Sequence, residues 1–349
     1  MRILIYGEFS GYGKSLAVGF RQLGHEACVF SPSGDGWKNL DSELKLSSKT
    51  KIGKLFDLVK LIPSFMKYEI IYIMNPSFFS FKLLGPVILM LFKIYRKEIY
   101  LLCCGDDVEY IRSGESGGIS KYIFHGVNYP SSKYFKRIQD RIVNYLCATF
   151  SKKIIPTMYD YERPWKTSYF SNKVTDVVPL ACAVNSDASI KATDVNSIKI
   201  MHGINRKDVK GTDVILMALK KIEENYNNVV VYTPERLGQS EYLKLFSNID
   251  ISIDQCKCHS YGMNAIYAML HGHIVLAPAD KHHCKSFDID IDSCPVVSIS
   301  NDVDAIYKKI QELLELSPQD MDYLKVKTQR YARDFHRPES VCRKLTALW

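Results

Sequence analysis

The sequence predicts an α/β protein made of two doubly wound domains, and three observations carry that prediction. Short apolar runs of strand length alternate with stretches of helical apolar spacing. The alternation starts afresh after a small, polar segment. Glycine-rich or polar turns follow the strand-like runs, where an open parallel sheet presents its ligands.

Residues 2–6 (RILIY) read as a buried strand running into the turn Gly7-Glu8-Phe9-Ser10-Gly11-Tyr12-Gly13; residues 15–23 follow with helical spacing, and 27–30 are the next strand. Further strands are expected at 70–74, 99–103, 153–156 and 174–179. The loops behind them hold Asn75-Pro76, Gly105-Asp106-Asp107 and Thr157-Met158-Tyr159. Residues 77–95 are unusually apolar and read either as a core helix broken at Gly85-Pro86 or as an interfacial patch followed by Arg96-Lys97. The segment 180–197 is the linker candidate. A second series then supplies strands at 198–202, 229–232, 249–253, 274–277 and 296–299, with helices near 303–316 and 319–333. The boundaries expected are 1–182 and 183–335.

Composition narrows the function classes. Of 349 residues, 46% are apolar and 24% charged, an ordinary globular balance. The longest uncharged apolar stretch, residues 83–92, is half of what a spanning helix needs, and residues 1–6 are too short for a secretory signal, so a cytosolic protein is expected. Ten cysteines, with Cys103 and Cys104 adjacent, follow no disulfide spacing and read as reduced and mostly buried. Charge is uneven: Lys and Arg outnumber Asp and Glu by 25 to 15 in residues 1–175, against 21 to 23 in the remainder. A basic first half suits an anionic surface or a pyrophosphate-linked acceptor; a solvated basic surface is the plainer alternative. No aromatic–basic interleaving or nucleic-acid-binding motif accompanies it, so nucleic acid is not expected as a partner.

The densest chemistry lies between residues 201 and 277. Arg206, Lys207 and Lys210 crowd a turn that ends in Gly211-Thr212, where an apolar helical repeat begins. A helix start offers unpaired amides and partial positive charge, so cations beside it make an anion site. Later, Asp254 closes a strand and Tyr261-Gly262-Met263-Asn264 leads into a helix that Gly272 ends. Arg206 with Lys210-Gly211, and Tyr261-Gly262 with Ala268-Met269 and Gly272, resemble the diphosphate clamp and the aromatic-Gly…Glu-Ala-Met…Gly signature of retaining GT-B glycosyltransferases.

The resemblance implies a GT-B fold, two Rossmann-like domains facing a central cleft. The acceptor domain would be 1–182, rejoined by a last helix at about 336–349, and the donor domain 183–335. It implies a metal-independent, cofactor-free hexosyltransferase that takes a nucleoside-diphosphate sugar and extends a lipid-linked surface glycan such as O-antigen or capsule, with retention, at the inner face of the membrane. Diphosphate contacts would fall to Arg206, Lys210, Gly211 and Lys207, and nucleotide or sugar contacts to Asp254, Tyr261, Gly262 and Asn264. One departure stands out. The family's two glutamates for sugar and ribose align with His259 and Tyr267, which leaves open a non-catalytic nucleotide-sugar-binding or scaffolding homologue.

Three other constellations compete. Gly11-Tyr12-Gly13-Lys14-Ser15 suggests a phosphate loop, but Glu8 stands where the first glycine belongs and would point a carboxylate at the phosphates. Gly11, Tyr12 and Gly13 are expected instead to line the cleft, with a plain turn as the alternative. Asp106 and Asp107 follow a strand, one suited to capping a helix and the other to orienting or deprotonating an acceptor hydroxyl, with His125 as a rival base. Cys256, Cys258 and His259 with His282, His283 and Cys284 lack the spacing of a zinc site, so no metal is expected.

Overall fold

The apolar runs expected as strands pair side by side in parallel, giving one six-stranded and one five-stranded sheet, each in its own unit. The computed structural model describes residues 1–32, 42–81, 84–127, 135–183, 190–235 and 244–349.

Unit 1 begins β1 (Arg2–Tyr6), α1 (Tyr12–Gln22), β2 (Glu26–Ser31), β3 (Leu44–Lys45) and α2 (Lys51–Phe65). It continues through β4 (Ile70–Ile73), α3 (Leu84–Ile94), β5 (Glu98–Cys103), α4 (Val108–Glu115), α5 (Ile138–Phe150), β6 (Lys153–Pro156) and α6 (Tyr159–Lys166). The strand order β3-β2-β1-β4-β5-β6 places the reversal of winding between β1 and β4. Alternation along the strands sorts the aromatic core onto two faces. Tyr6 stacks on Phe79 at 4.1 Å and meets Phe65 of α2 and Phe92 of α3. On the other face Phe20 of α1 stacks on Tyr72, which stacks on Tyr100.

Unit 2 comprises β7 (Ile198–His202), α7 (Lys207–Lys210), α8 (Thr212–Asn225), β8 (Val229–Tyr232), β9 (Ile251–Ile253) and α9 (Met263–Leu270), then β10 (Ile274–Ala277), α10 (Lys281–Ser286), β11 (Val297–Ser298), α11 (Val303–Leu314) and α12 (Pro318–Phe335). Its order β11-β10-β9-β7-β8 puts the reversal between β7 and β9. The chain then returns to unit 1 as α13 (Pro338–Thr346), whose approach to α1 depends on Gly19: a Cβ there would overlap the Pro338 carbonyl. Trp349 Nε1 donates to the Tyr72 hydroxyl at 2.8 Å and completes that side of the core.

Several expectations change on contact with the structure. Pro86 lies in the first turn of α3, where its missing N–H costs nothing, so the helix is continuous there instead of broken. Residues 174–179 contribute only an isolated bridge from Val174 to Ile154. Residues 121–127 group with unit 2, so His125 belongs to that unit and Asp106 to unit 1. Of the linker candidate, Leu180 to Ala183 stay with unit 1, Leu180 and Ala181 being buried, while 184–189 lie outside the described residues. Nine of the ten cysteines are buried and all are free.

Unit 2 is tied through its centre by buried polar groups. His202 donates Nδ1–H to the Ile253 carbonyl at 3.0 Å and accepts the Thr212 hydroxyl at Nε2 at 3.0 Å, joining β7, β9 and α8. His273 similarly donates from Nε2 to the Phe246 carbonyl and accepts from Ser252. Lys325 of α12 reaches Asp250 at 2.6 Å, both almost wholly buried, while Asp250 also accepts from the Lys199 amide. Burial lowers the imidazole of His202 to about 4 and that of His273 to about 3.

These histidines stay neutral in the fold where the unfolded chain would take up protons, so unit 2 should lose stability as the pH falls from about 6.5 towards 4. His202 alone would contribute on the order of 3 kcal/mol to that loss. Protection factors of amides in β7 and β9, with the pH dependence of intrinsic exchange divided out, should fall across this window; constant protection factors would mean that the rings are charged or not enclosed.

Candidate functional site

Ligands of doubly wound sheets bind outside the carboxyl ends of the strands, where the winding reverses. In unit 1 the loops after β1 and β4 flank that position, and the chain fills it with its own groups. Glu8, buried, accepts the Gly11 amide at 2.8 Å and the Lys14 amide at 2.9 Å, so its carboxylate occupies the place a phosphate would take in a nucleotide loop. Tyr12 is fully enclosed and its hydroxyl has no hydrogen-bond partner, while Gly11 and Gly13 are buried; the three form a packed turn rather than an exposed cleft lining. Asn75 bridges to the next loop, its side-chain amide donating to the carbonyls of Cys104 and Asp106 at 3.1 Å each.

Of the two aspartates after β5, Asp107 is structural. It caps α4 by accepting the Tyr110 amide at 2.8 Å and accepts Trp165 Nε1 at 2.8 Å. Burial pushes its carboxyl up to about 7 against the pull of those donors. The catalytic expectation for Asp107 is therefore replaced by a capping role, while Asp106 beside it is half-buried.

In unit 2 the loops after β7 and β9 flank the reversal, and they carry the two segments singled out from the sequence. Gly211 takes a left-handed conformation at φ 75° between α7 and α8, and a Cβ there would run into Cys256 Sγ. That close approach lets the Cys256 amide donate to the Lys210 carbonyl at 3.0 Å, clasping the loops together. Lys210 Nζ donates to Asp254 at 2.6 Å, and Asn264 Nδ2 reaches the same oxygen at 3.3 Å. Lys210 is thus spoken for by a carboxylate at a buried position, whereas Arg206 and Lys207 lie exposed on the turn, Lys207 pairing with Glu235 at 3.5 Å.

Helix starts without a side-chain cap occur in both units, at α5 and α6 of unit 1 and at α8 (Gly211) and α9 (Gly262) of unit 2. A helix start without a side-chain cap can offer its first amides to an anion; Gly262 at the start of α9 faces open space, while Thr212 at the start of α8 is fully buried.

The remaining candidates scatter. Tyr261 is buried with its hydroxyl bonded to Tyr331 at 3.1 Å and His336 at 3.0 Å, so it anchors the loop from behind rather than meeting a ligand. His259 is enclosed and bonded through Nδ1 to Asp280 at 2.7 Å. Asp280, a residue the sequence reading missed, also accepts Lys121 at 2.8 Å and caps α10. Burial would raise its carboxyl, but His259 and Lys121 outweigh that and hold it well below the usual range. Tyr267 is half-buried one turn along α9 from Asn264, and His125 is exposed. His282 lies 5.0 Å from His259, centroid to centroid, yet among the described residues no group of three His, Cys, Asp or Glu side chains is placed to hold a metal. Glu8 was legible as the misfit in its loop; Asp280 carried no local signal, because its partners are distant in sequence.

Solved structures resemble the chain along its whole length. HepE of Anabaena in complex with UDP and glucose has 13% identity and a TM-score of 0.65, covering 99% of this chain and 98% of that one. The chain has the GT-B fold. Sucrose-phosphate synthase of Thermosynechococcus elongatus matches at 13% identity with a TM-score of 0.62, covering 99% and 97% of the two chains. A putative UDP-N-acetylglucosamine 2-epimerase of Listeria monocytogenes matches at 10% identity and 0.52, covering 99% and 95%. No protein-family model and no curated sequence matches.

Two substitutions separate the structural carboxylates from the rest. Asp107→Ala should destabilise unit 1 by about 2–3 kcal/mol in denaturant unfolding, through the lost cap and the orphaned Trp165 N–H. Asp254→Asn should cost about 3 kcal/mol or more by stranding the Lys210 charge, and Lys210→Met in the same chain should recover most of it. Additive losses in that double variant would show that the pair is not a closed unit.

Proposed function

We propose that this protein transfers a sugar from a nucleoside-diphosphate donor to a growing glycan. The observation that carries the reading is the pair of uncapped helix starts at Gly211 and Gly262, side by side at the winding reversal of unit 2 with Arg206 exposed beside them. Similar structures that hold UDP with glucose, or UDP-glucose, support it.

In this reading the donor diphosphate lies across the two helix starts. Arg206 and the backbone amides stabilise the charge that builds on the departing nucleoside diphosphate as the glycosidic bond breaks, without a metal ion. Lys210, held against Asp254, shapes the floor of the site and adds field rather than a direct clamp. Asn264, tied to Asp254, fixes the first turn of α9 where sugar hydroxyls would lie. With Asp107 committed to capping, Asp106 is the carboxylate for the acceptor hydroxyl, or the leaving phosphate oxygen takes that proton and the anomeric configuration is retained. A surface glycan of hexoses, lipid-linked and built at the inner face of the membrane, is the acceptor this reading favours.

A second reading has its own observation. His259 and Tyr267 stand where the resembling glycosyltransferases carry glutamates, and His259 is engaged by Asp280, which suits a protein that binds nucleotide-sugar without turning it over.

Thermal unfolding against UDP, GDP, dTDP, CDP and ADP tests the site. A nucleotide at a hundred times its dissociation constant should add about 2.7 kcal/mol, and the effect should vanish in Arg206→Ala. No shift with any of the five would remove the proposal. If a nucleotide binds, release of nucleoside diphosphate from its sugar conjugates marks the transferase, and its loss in Asp106→Asn assigns the acceptor proton to that carboxylate while its survival assigns it to the leaving phosphate; tight binding without release marks the second reading.

A further inference from the structure

In unit 1 the loop after β4, the start of α4 and the first two turns of α5 enclose a small cavity, roomy enough for one group the size of a water. Asn75, Ser77 and Ser80 line it from the loop and Asp107 from the start of α4. Asp140 and Asn144 line it from α5, where a spacing of four puts them on one face. The amide donors of this wall are spent elsewhere. Asn75 gives its amide to the carbonyls of Cys104 and Asp106, while its side-chain oxygen accepts the Ser77 amide at 2.9 Å. Asn144 turns Nδ2 to Glu109 at 3.4 Å, which fixes its orientation and leaves Oδ1 at the other end. That oxygen is buried and has no hydrogen-bond partner. A buried carbonyl oxygen without a donor calls for an occupant that can meet it.

Charge is unbalanced at the same place. Arg137 grips Asp140 through both carboxylate oxygens, at 2.9 and 3.0 Å, and Arg112 answers Glu109. Asp107, 2% exposed, accepts two neutral N–H groups, from Tyr110 and Trp165, and no cation pairs with it among the described residues. A carboxylate kept from water needs a counter-charge or a proton. Burial pushes this carboxyl up to about 7, so near neutrality a cation competes with the proton on even terms. A water would satisfy Asn144 but leave the charge of Asp107 unanswered. A divalent ion fits poorly: magnesium keeps several waters and calcium takes about six to eight oxygens, and the cavity has room for neither shell.

We propose that this cavity binds a desolvated monovalent cation close to water in size, potassium by its fit, with Asn144 Oδ1, Asp107 and Asp140 among its oxygen donors. Carbonyl and carboxylate oxygens replace the hydration shell of such an ion. One positive charge balances Asp107 and gives the Asn144 oxygen its partner. The ion ties the loop after β4 to the starts of α4 and α5, so its role is structural and it takes no part in sugar transfer. The proposal does not depend on the donor site in unit 2.

Thermal unfolding of the full chain tests it, in choline chloride and in potassium, sodium and lithium chlorides at equal ionic strength. Saturating potassium should raise the melting temperature by about 5 °C or more over choline, and lithium should not. Asn144→Leu should remove the difference between potassium and choline. Should that variant fail to fold, thallium(I), which replaces potassium and scatters anomalously, gives a direct reading in crystals of the wild type. A thallium peak among Asn144, Asp107 and Asp140 is the expected result. Equal melting temperatures in all four salts overturn the proposal and leave a water as the occupant. Stabilisation by sodium or lithium but not by potassium overturns it too, as does a potassium effect that survives in Asn144→Leu or a thallium peak found only elsewhere.

Discussion

The demand of helix starts for negative charge organises both halves of this protein. A parallel sheet with helices following its strands aims the amide-rich ends of those helices at one edge, and each end must find an acceptor. Unit 1 supplies acceptors from within: Glu8 closes the turn into α1 and Asp107 the turn into α4. Unit 2 does the same at α10 with Asp280 and at α11 with Asp302. It leaves α8 and α9 without side-chain caps, at the place where its winding reverses.

The ionic pairs behind that edge explain how it can stay open and still be rigid. Lys210 with Asp254 ties the loop after β7 to the end of β9, and the Cys256 amide adds a second tie to the same loop. His202 connects β7, β9 and α8 beneath them as a neutral ring, so the floor of the site carries hydrogen bonds without an additional charge. Lys325 with Asp250 holds α12 against the opposite end of the strands. A buried pair costs heavily when one partner is lost, so these pairs fix geometry more than they add stability.

Much of this was legible in the sequence because it is periodic. Short apolar runs marked most of the strands to within a residue or two, although β3 carried no such run and residues 174–179 formed only an isolated bridge. Glu8 was recognisable because it broke a known phosphate-loop spacing. Long-range pairing was not legible. Nothing near Lys210 announces Asp254, nothing near His259 announces Asp280, and residues 121–127 join unit 2 although more than fifty residues of unit 1 follow them. Tyr261 misled for a related reason: the sequence places it in the loop but cannot show that Tyr331 and His336 hold its hydroxyl from the other side.

The return of α13 to α1 has a consequence for how the chain acquires its shape. Unit 1 is discontinuous, and the helix that covers Phe20 and Tyr72 emerges from the ribosome only after all of unit 2 has been made. Until then one face of the first sheet lacks its cover, while unit 2 can close around its own core. The nascent protein should therefore mature out of order, the later half settling first and the earlier half waiting for its last helix, a contact of very high sequence separation that slows folding and leaves aromatic surface open to chaperones in the interval.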